Sequence, residues 1–269
     1  MELKIAMSTI VILLASGLSM YGQYSVNGRL AWSEEFDYKG LPDDRIWNYE
    51  VGYIRGNEAQ YYTCKDEANA RVEKGCLVIE ARQEHNDTID YTSASINTLG
   101  KVDFFRGRIE VRAKLPKGRG IWPAIWMMGS DYPDVNWPDC GEIDIMEYVG
   151  YFPNTIYSTV HTPGFEIQRK LDPDNGPTYV HVQTKINEPY SDFHVYAMEW
   201  TDESLDFFID GKRTYSYRKS DYPDSYWRFD KPHFLLINLA VGGAWGGVHG
   251  IDDSIFPAKY YVDWVRYYK

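Results

Sequence analysis

Three carboxylates crowd into Glu142-Ile143-Asp144-Ile145-Met146-Glu147, a segment whose other residues are apolar. Its isoleucines favour a strand, and strand side chains alternate between faces. Glu142 and Asp144 therefore share a face, while Glu147 falls on the opposite parity. One extra residue near Ile145-Met146 would return Glu147 to the first face, and bulges of this kind re-aim side chains next to active sites. Three acids in a row raise one another's pKa, so one can stay protonated near neutral pH while another is ionised. A carboxylic acid beside a carboxylate is the equipment for breaking a glycosidic bond. A solvated strand face also carries acids, but aromatic residues flank this one. Trp137-Pro138 precedes it, Tyr148 follows it, and Trp122 and Trp126 lie just upstream. That surrounding favours a catalytic cleft.

The elements that must hold such a row read as short strands between turns. Ala70–Glu73 and Cys76–Ala81 form a hairpin around Lys74-Gly75. Gly107 to Leu115 alternates charged and apolar residues, as a half-buried strand does. Phe193 to Trp200 is a further strand, and Leu205–Ile209 returns through Asp210-Gly211 into Lys212–Tyr215. Phe234 to Val241 is nearly all apolar and predicts a central strand, and Lys259 to Tyr268 closes the chain with another. No amphipathic helix of three turns is evident, so the fold class is all-β, a sandwich or barrel. The polar region Thr162 to Pro189 reads as the longest loop, which in a compact domain is often functional.

The chain has 269 residues, 44% of them hydrophobic, enough for one large all-β domain or two ordinary ones. Its 23 Tyr and 9 Trp suit strands and a carbohydrate surface, because flat rings cover sugar faces while their polar edges hydrogen-bond. A net charge of −11 excludes nucleic acid as an obvious partner and argues against a sulfated polysaccharide. Lys4 and the apolar run around Ile10–Ala15 read as a signal peptide over residues 1–22, with Gly17, Ser19 and Gly22 as candidate cleavage points. The run is short for a membrane span of about 20 residues. The expectation is an exported protein, secreted or periplasmic, with no membrane attachment after cleavage and one domain over residues 24–269. Of the three cysteines, Cys64 and Cys76 either pair across neighbouring strands or remain free; Cys140 has no base beside it in sequence and reads as packing.

Gly141 to Tyr148, with its Glu-x-Asp-x-x-Glu pattern, resembles the active-site signature of family 16 glycoside hydrolases in the bulged form. Further blocks resemble the laminarinase-like branch: Trp32–Phe36, Asn69–Arg71, Tyr91–Ala94, Trp122–Met128, His161–Gly164, Tyr196–Trp200, Asn238–Gly243 and Val262–Val265. Together they cover the mature chain. The resemblance implies a β-jelly-roll sandwich of two curved antiparallel sheets with a concave substrate cleft. It implies a retaining endo-hydrolase of β-1,3-linked or mixed-linkage β-1,3-1,4-glucan; nothing in the sequence suggests an obligate oligomer, so a monomer is the expectation. Hydrolysis of a galactan such as agarose or carrageenan, transfer of the sugar to another sugar, and a non-catalytic glucan-binding sandwich are the competing readings.

The same resemblance distributes roles. Glu142 would be the nucleophile, Glu147 the acid/base, and Asp144 the residue that bonds Glu142 and tunes the pair. Retaining carboxyl groups sit about 5–5.5 Å apart, whereas strand rise puts the Cα atoms of Glu142 and Glu147 roughly 13 Å or more apart, so curvature and leaning side chains must close the gap. Trp122 and Trp126 resemble tryptophans of the glycone side, Trp137 a sugar platform, and His161 a histidine near the cleaved bond. Asn69, Glu58 and Arg108 are candidate hydroxyl partners, and Trp245 sits in a loop at the cleft edge. Asn238, in an apolar strand, serves substrate or ties a loop. No cofactor for catalysis is implied. A structural calcium would use Glu35, the carbonyl of Gly75 and Asp263, which are hard oxygen donors. One position departs: Ser95 stands where many laminarinases carry Arg, which leaves room for mixed-linkage substrates.

Overall fold

A computed structural model describes residues 28–84, 88–165 and 180–269. The proposed leader and residues 166–179 of the long polar region lie outside those residues. In chain order the strands begin with β1 (Leu30–Glu34), β2 (Asn48–Tyr49), β3 (Gln60–Tyr62), β4 (Ala70–Glu73), β5 (Cys76–Gln83) and β6 (Tyr91–Ser93). They continue with β7 (Ser95–Asn97), β8 (Gly107–Lys114), β9 (Ile121–Gly129), β10 (Glu142–Glu147), β11 (Thr155–His161) and β12 (Val180–Lys185). The last five are β13 (His194–Trp200), β14 (Ser204–Ile209), β15 (Lys212–Arg218), β16 (His233–Val241) and β17 (Ala258–Tyr268).

These strands make two sheets. One runs β12-β11-β10-β9-β16-β7-β2; the other runs β15-β14-β13-β8-β17-β5-β6-β3, with β1 added to β17 and β4 to β5. The pairing is antiparallel except for β3 against β6, which run parallel. Parallel neighbours need a crossover, and here the intervening β4–β5 hairpin supplies it. Both hairpin turns have the backbone their residues favour: Lys74-Gly75 and Asp210-Gly211 each place two consecutive residues at positive φ, the form that matches strand twist.

Alternation along the central strands builds the core on one face and the site on the other. Ile125, Met127, Ile143, Leu235, Ile237 and Leu239 face the large core between the sheets. Ala124, Trp126, Met128, Phe234 and Leu236, of opposite parity, form a separate small cluster on the outer face. Each fully buried aliphatic side chain contributes roughly 1.5–3 kcal/mol, so the inner set fixes the register of β9, β10 and β16. A one-residue slip would move the whole set to the wrong face.

The supposed loop between Thr162 and Pro189 contains β12, paired along β11 from Thr155↔Lys185 to Val160↔Val180. The alternation Val180-His181-Val182-Gln183 was the available signal, masked by the polar residues around it. No helix among the described residues is long and apolar enough to cross a membrane.

Candidate active site

Strand β10 lies between β9 and β11, and both pairings slip by one residue at the same place. Asp144 opposes Trp126 on β9, yet Met146 already opposes the next residue, Ile125. On β11, Asp144 opposes Thr159 and Glu147 opposes Tyr157. The extra residue is the anticipated bulge. Ile145 and Met146 both enter the core, and Glu142, Asp144 and Glu147 come to oppose Met128, Trp126 and Ala124 on the outer face. Burying two consecutive apolar side chains drives the bulge, and the third acid is returned to the row as a result.

The row forms part of a cleft of about 810 Å³, within the 300–1,000 Å³ range of ligand sites. Glu147 is 8% exposed. Its Oε1 accepts from Trp122 Nε1 at 3.1 Å and its Oε2 accepts from Thr159 Oγ1 at 2.9 Å. Burial first, and then the charge of Asp144, push the Glu147 carboxyl up to about 8. Asp144 is 3% exposed; burial, the charge of Glu142 and a hydrogen bond with Glu142 hold its carboxyl well above the usual range. His161, the cross-strand partner of Glu142, places Nε2 3.4 Å from Asp144 Oδ2 and 3.7 Å from Glu142 Oε1. The arrangement offers a proton donor at neutral pH, Glu147, and a second carboxyl group, Glu142, on the same face of the cleft floor.

Residues 57–266 match the model of glycosyl hydrolases family 16. The chain belongs to this family. It is 44% identical to a beta-glucanase of Rhodothermus marinus, over all of this chain and 97% of that protein. The crystal structure of the laminarinase from Rhodothermus marinus superposes with a TM-score of 0.81 at 43% identity, covering 91% of this chain and 98% of that one. A mutant of SCLam, a non-specific endo-β-1,3(4)-glucanase, co-crystallised with 1,3-β-D-cellotriosyl-glucose, matches at a TM-score of 0.81 and 37% identity, covering 90% of this chain and 95% of that one. The neighbouring folds are family 16 jelly rolls, as the sequence implied.

In this glycoside hydrolase the expected cleft residues divide into those the fold gathers and those it does not. Trp122, Trp126, Trp137, His161, Glu58 and Trp245 line the cleft with Glu142 and Glu147. Trp122 spends its indole N–H on Glu147, so it orients the acid as well as walling the cleft. Trp245 packs edge-on against Trp122 and Tyr157, with ring centres 5.4 and 4.7 Å away. Trp137 is 43% exposed and tilts against His161 at 6.0 Å, as a platform would. Burial pushes the Glu58 carboxyl up, and Gln60 donates to it at 2.6 Å.

Asn238 ties rather than touches. Its Oδ1 accepts from Trp126 Nε1 at 2.8 Å and its Nδ2 donates to Tyr62 at 3.0 Å. Asn69 and Arg108 are corrections. Asn69 is buried in the opposite sheet, where it donates to the Glu80 carbonyl and to Thr92. Arg108, on β8 of that sheet, donates to Glu110 at 2.7 Å and to Glu199 at 3.0 Å. Both polar groups are consumed in structural bonds away from the cleft. In sequence their types suited sugar hydroxyls equally well.

Several cleft residues were missed: Glu50, Arg55, Tyr157, Thr159, His181 and Gln183. Two of them sit on the overlooked β12. Arg55 has a more informative geometry. Its guanidinium lies 4.9 Å over the Trp126 ring and donates to both carboxylate oxygens of Glu50, and Glu50 also accepts from Ser95 Oγ at 2.5 Å. The serine that departs from the laminarinase pattern therefore supports an arginine delivered from another loop.

Outside the cleft, the register brings Glu35, Gly75 and Asp263 to the stretch of β17 where β5 begins and β1 ends. Arg266 donates twice to Glu35, at 2.9 Å each, and Arg112 pairs with Asp263. A cation there would compete with two arginines. Cys64, Cys76 and Cys140 are free thiols; Cys140 is buried beneath the cleft, and burial pushes its thiol up to about 11.

Proposed function

We propose that this glycoside hydrolase cleaves β-1,3- and mixed-linkage β-1,3(4)-glucans within the chain, with retention at the anomeric carbon. The observation that carries the reading is the cleft-face row Glu142, Asp144, Glu147, with Glu147 protonated near neutral pH. The activities named for the relatives from Rhodothermus marinus and for SCLam support the choice of polymer.

The chemistry follows from the row. Glu142 attacks the anomeric carbon while Glu147 gives its proton to the departing glycosidic oxygen; the C–O bond breaks and a glycosyl ester of Glu142 forms. Glu147, now a carboxylate, takes a proton from water as that water attacks the same carbon and releases Glu142. Asp144, kept protonated by burial and the neighbouring charge, donates a hydrogen bond to Glu142. It thereby lowers the cost of holding a carboxylate there before attack and after release. Trp122 and Thr159 fix the carboxyl group of Glu147 for both proton transfers.

The test is product release from laminarin, mixed-linkage glucan and curdlan by wild type and by Glu142→Gln. Wild-type cleavage that collapses by several orders of magnitude in the variant supports the assignment, and the preferred polymer decides the linkage. Wild-type activity on agarose alone would sink it.

Three narrower readings accompany this one. Residues 24–269 act as a monomeric catalytic unit, checked by sedimentation. The apolar N-terminal run directs export, checked by the N-terminus of the mature protein. Glu35, the Gly75 carbonyl and Asp263 would hold calcium for stability alone, with calcium displacing Arg266 and Arg112 from the two carboxylates; a melting temperature indifferent to calcium would remove that site.

A further inference from the structure

Among the described residues, one set of three potential metal-ligating side chains converges within 4.8 Å: Glu142, Asp144 and His161. Ligand atoms 2.0–2.2 Å from a tetrahedral zinc lie roughly 3.3–3.6 Å from each other. His161 Nε2 is 3.4 Å from Asp144 Oδ2 and 3.7 Å from Glu142 Oε1, so the imidazole already stands from each carboxylate at about the separation such an ion needs. A second observation points the same way. Asp144 is 3% exposed, and its Oδ2 makes no hydrogen bond although it is buried. A buried polar oxygen left unmatched is costly, this one faces the imidazole, and a bound ion would displace the proton that Asp144 otherwise holds.

We propose that Glu142, Asp144 and His161 form a three-ligand site for zinc-class divalent ions, and that an ion bound there blocks hydrolysis. One imidazole and two carboxylates suit zinc or cobalt. Calcium and magnesium, which take six or more oxygens, are poor fits. Glu142 and His161 line the cleft, so water can fill the fourth position from that side. Zinc on Glu142 removes the lone pair that would attack sugar, and the ion occupies the space of the anomeric carbon. The ligand set stands on geometry alone; the blocking of hydrolysis rests on the function proposed above.

The experiment uses the full protein, stripped with chelator and titrated with cobalt(II) as a spectroscopic stand-in for zinc. The expected result is one tetrahedral cobalt spectrum per chain, displaced by zinc. In His161→Gln and Glu142→Gln, confirmed folded by circular dichroism, the affinity should fall by at least the roughly 10–100-fold lost when even a supporting partner of a ligand is removed. Glu35→Gln, in the separate acidic group, should keep the spectrum. In wild type, zinc should raise the apparent KM for glucan. No tetrahedral spectrum, a spectrum that survives both ligand variants, or zinc binding that leaves hydrolysis unchanged would each overturn the proposal. The cobalt readout needs no substrate, so a wrong choice of polymer does not affect it.

Discussion

Replacing Glu147 with glutamine should change how stability depends on pH. Folded Glu147 keeps its proton up to about pH 8, whereas its ordinary value is 4.5. Between those values the folded protein holds one proton more than the unfolded chain. Raising the pH through that window therefore favours unfolding, and the loss levels off above pH 8. At 1.36 kcal/mol for each pH unit, the window is worth about 5 kcal/mol as an upper figure. The substituted amide would not ionise, and its carbonyl oxygen can still accept from Trp122 while the group meets Thr159. For a chain of this size 1 kcal/mol moves Tm by about 2–4 °C. Between pH 5 and pH 8 the difference is about 3.5 kcal/mol of that window, so the Tm advantage of Glu147→Gln over wild type should widen by up to roughly 7–14 °C, read by scanning calorimetry. A gap equal at both pH values, or one that narrows as pH rises, would refute the buried, protonated Glu147 and with it the acid role.

Thr159→Val removes a donor that favours the ionised form of Glu147. A hydrogen bond to a charged group is worth about 1.5–3 kcal/mol, so the alkaline limb of the kcat/KM profile should rise by about one pH unit or more; an unmoved limb counts against the bond. Trp137→Ala deletes an exposed ring beside His161. KM for oligosaccharides should rise roughly 2- to 10-fold with kcat little changed, as expected for ring contacts of about 0.5–1.5 kcal/mol; a fall confined to kcat would place the ring in the chemistry instead. Arg55→Ala uncovers Trp126 and leaves Glu50 with the Ser95 hydroxyl in place of an ion pair. The pattern of oligosaccharide products from mixed-linkage glucan should shift, and an unchanged pattern would remove Arg55 from substrate selection.

The catalytic row was legible because it is local. Six residues carry the three acids, the apolar residues between them, and the parity conflict that only a bulge resolves. Strands β8, β13, β14, β16 and β17 were legible for the same reason, since alternation and hairpin turns are short-range signals. β12 was not, because its alternating residues are partly polar and, among the described residues, it is an edge strand paired with β11 alone.

The sequence by itself determined which side chains could do the chemistry, and the order of strands that would carry them. The tertiary structure decided which polar side chains are available. Asn69, Asn238 and Arg108 look like sugar partners in sequence, and each is consumed by a bond to a residue on another strand. It also decided the protonation of Glu147, because burial depends on what packs over a carboxyl rather than on its neighbours in sequence. Arg55 reaches Trp126 from a loop about seventy positions upstream. No local pattern encodes such meetings; they arise only when two sheets close on one core and bring distant loops to the same face.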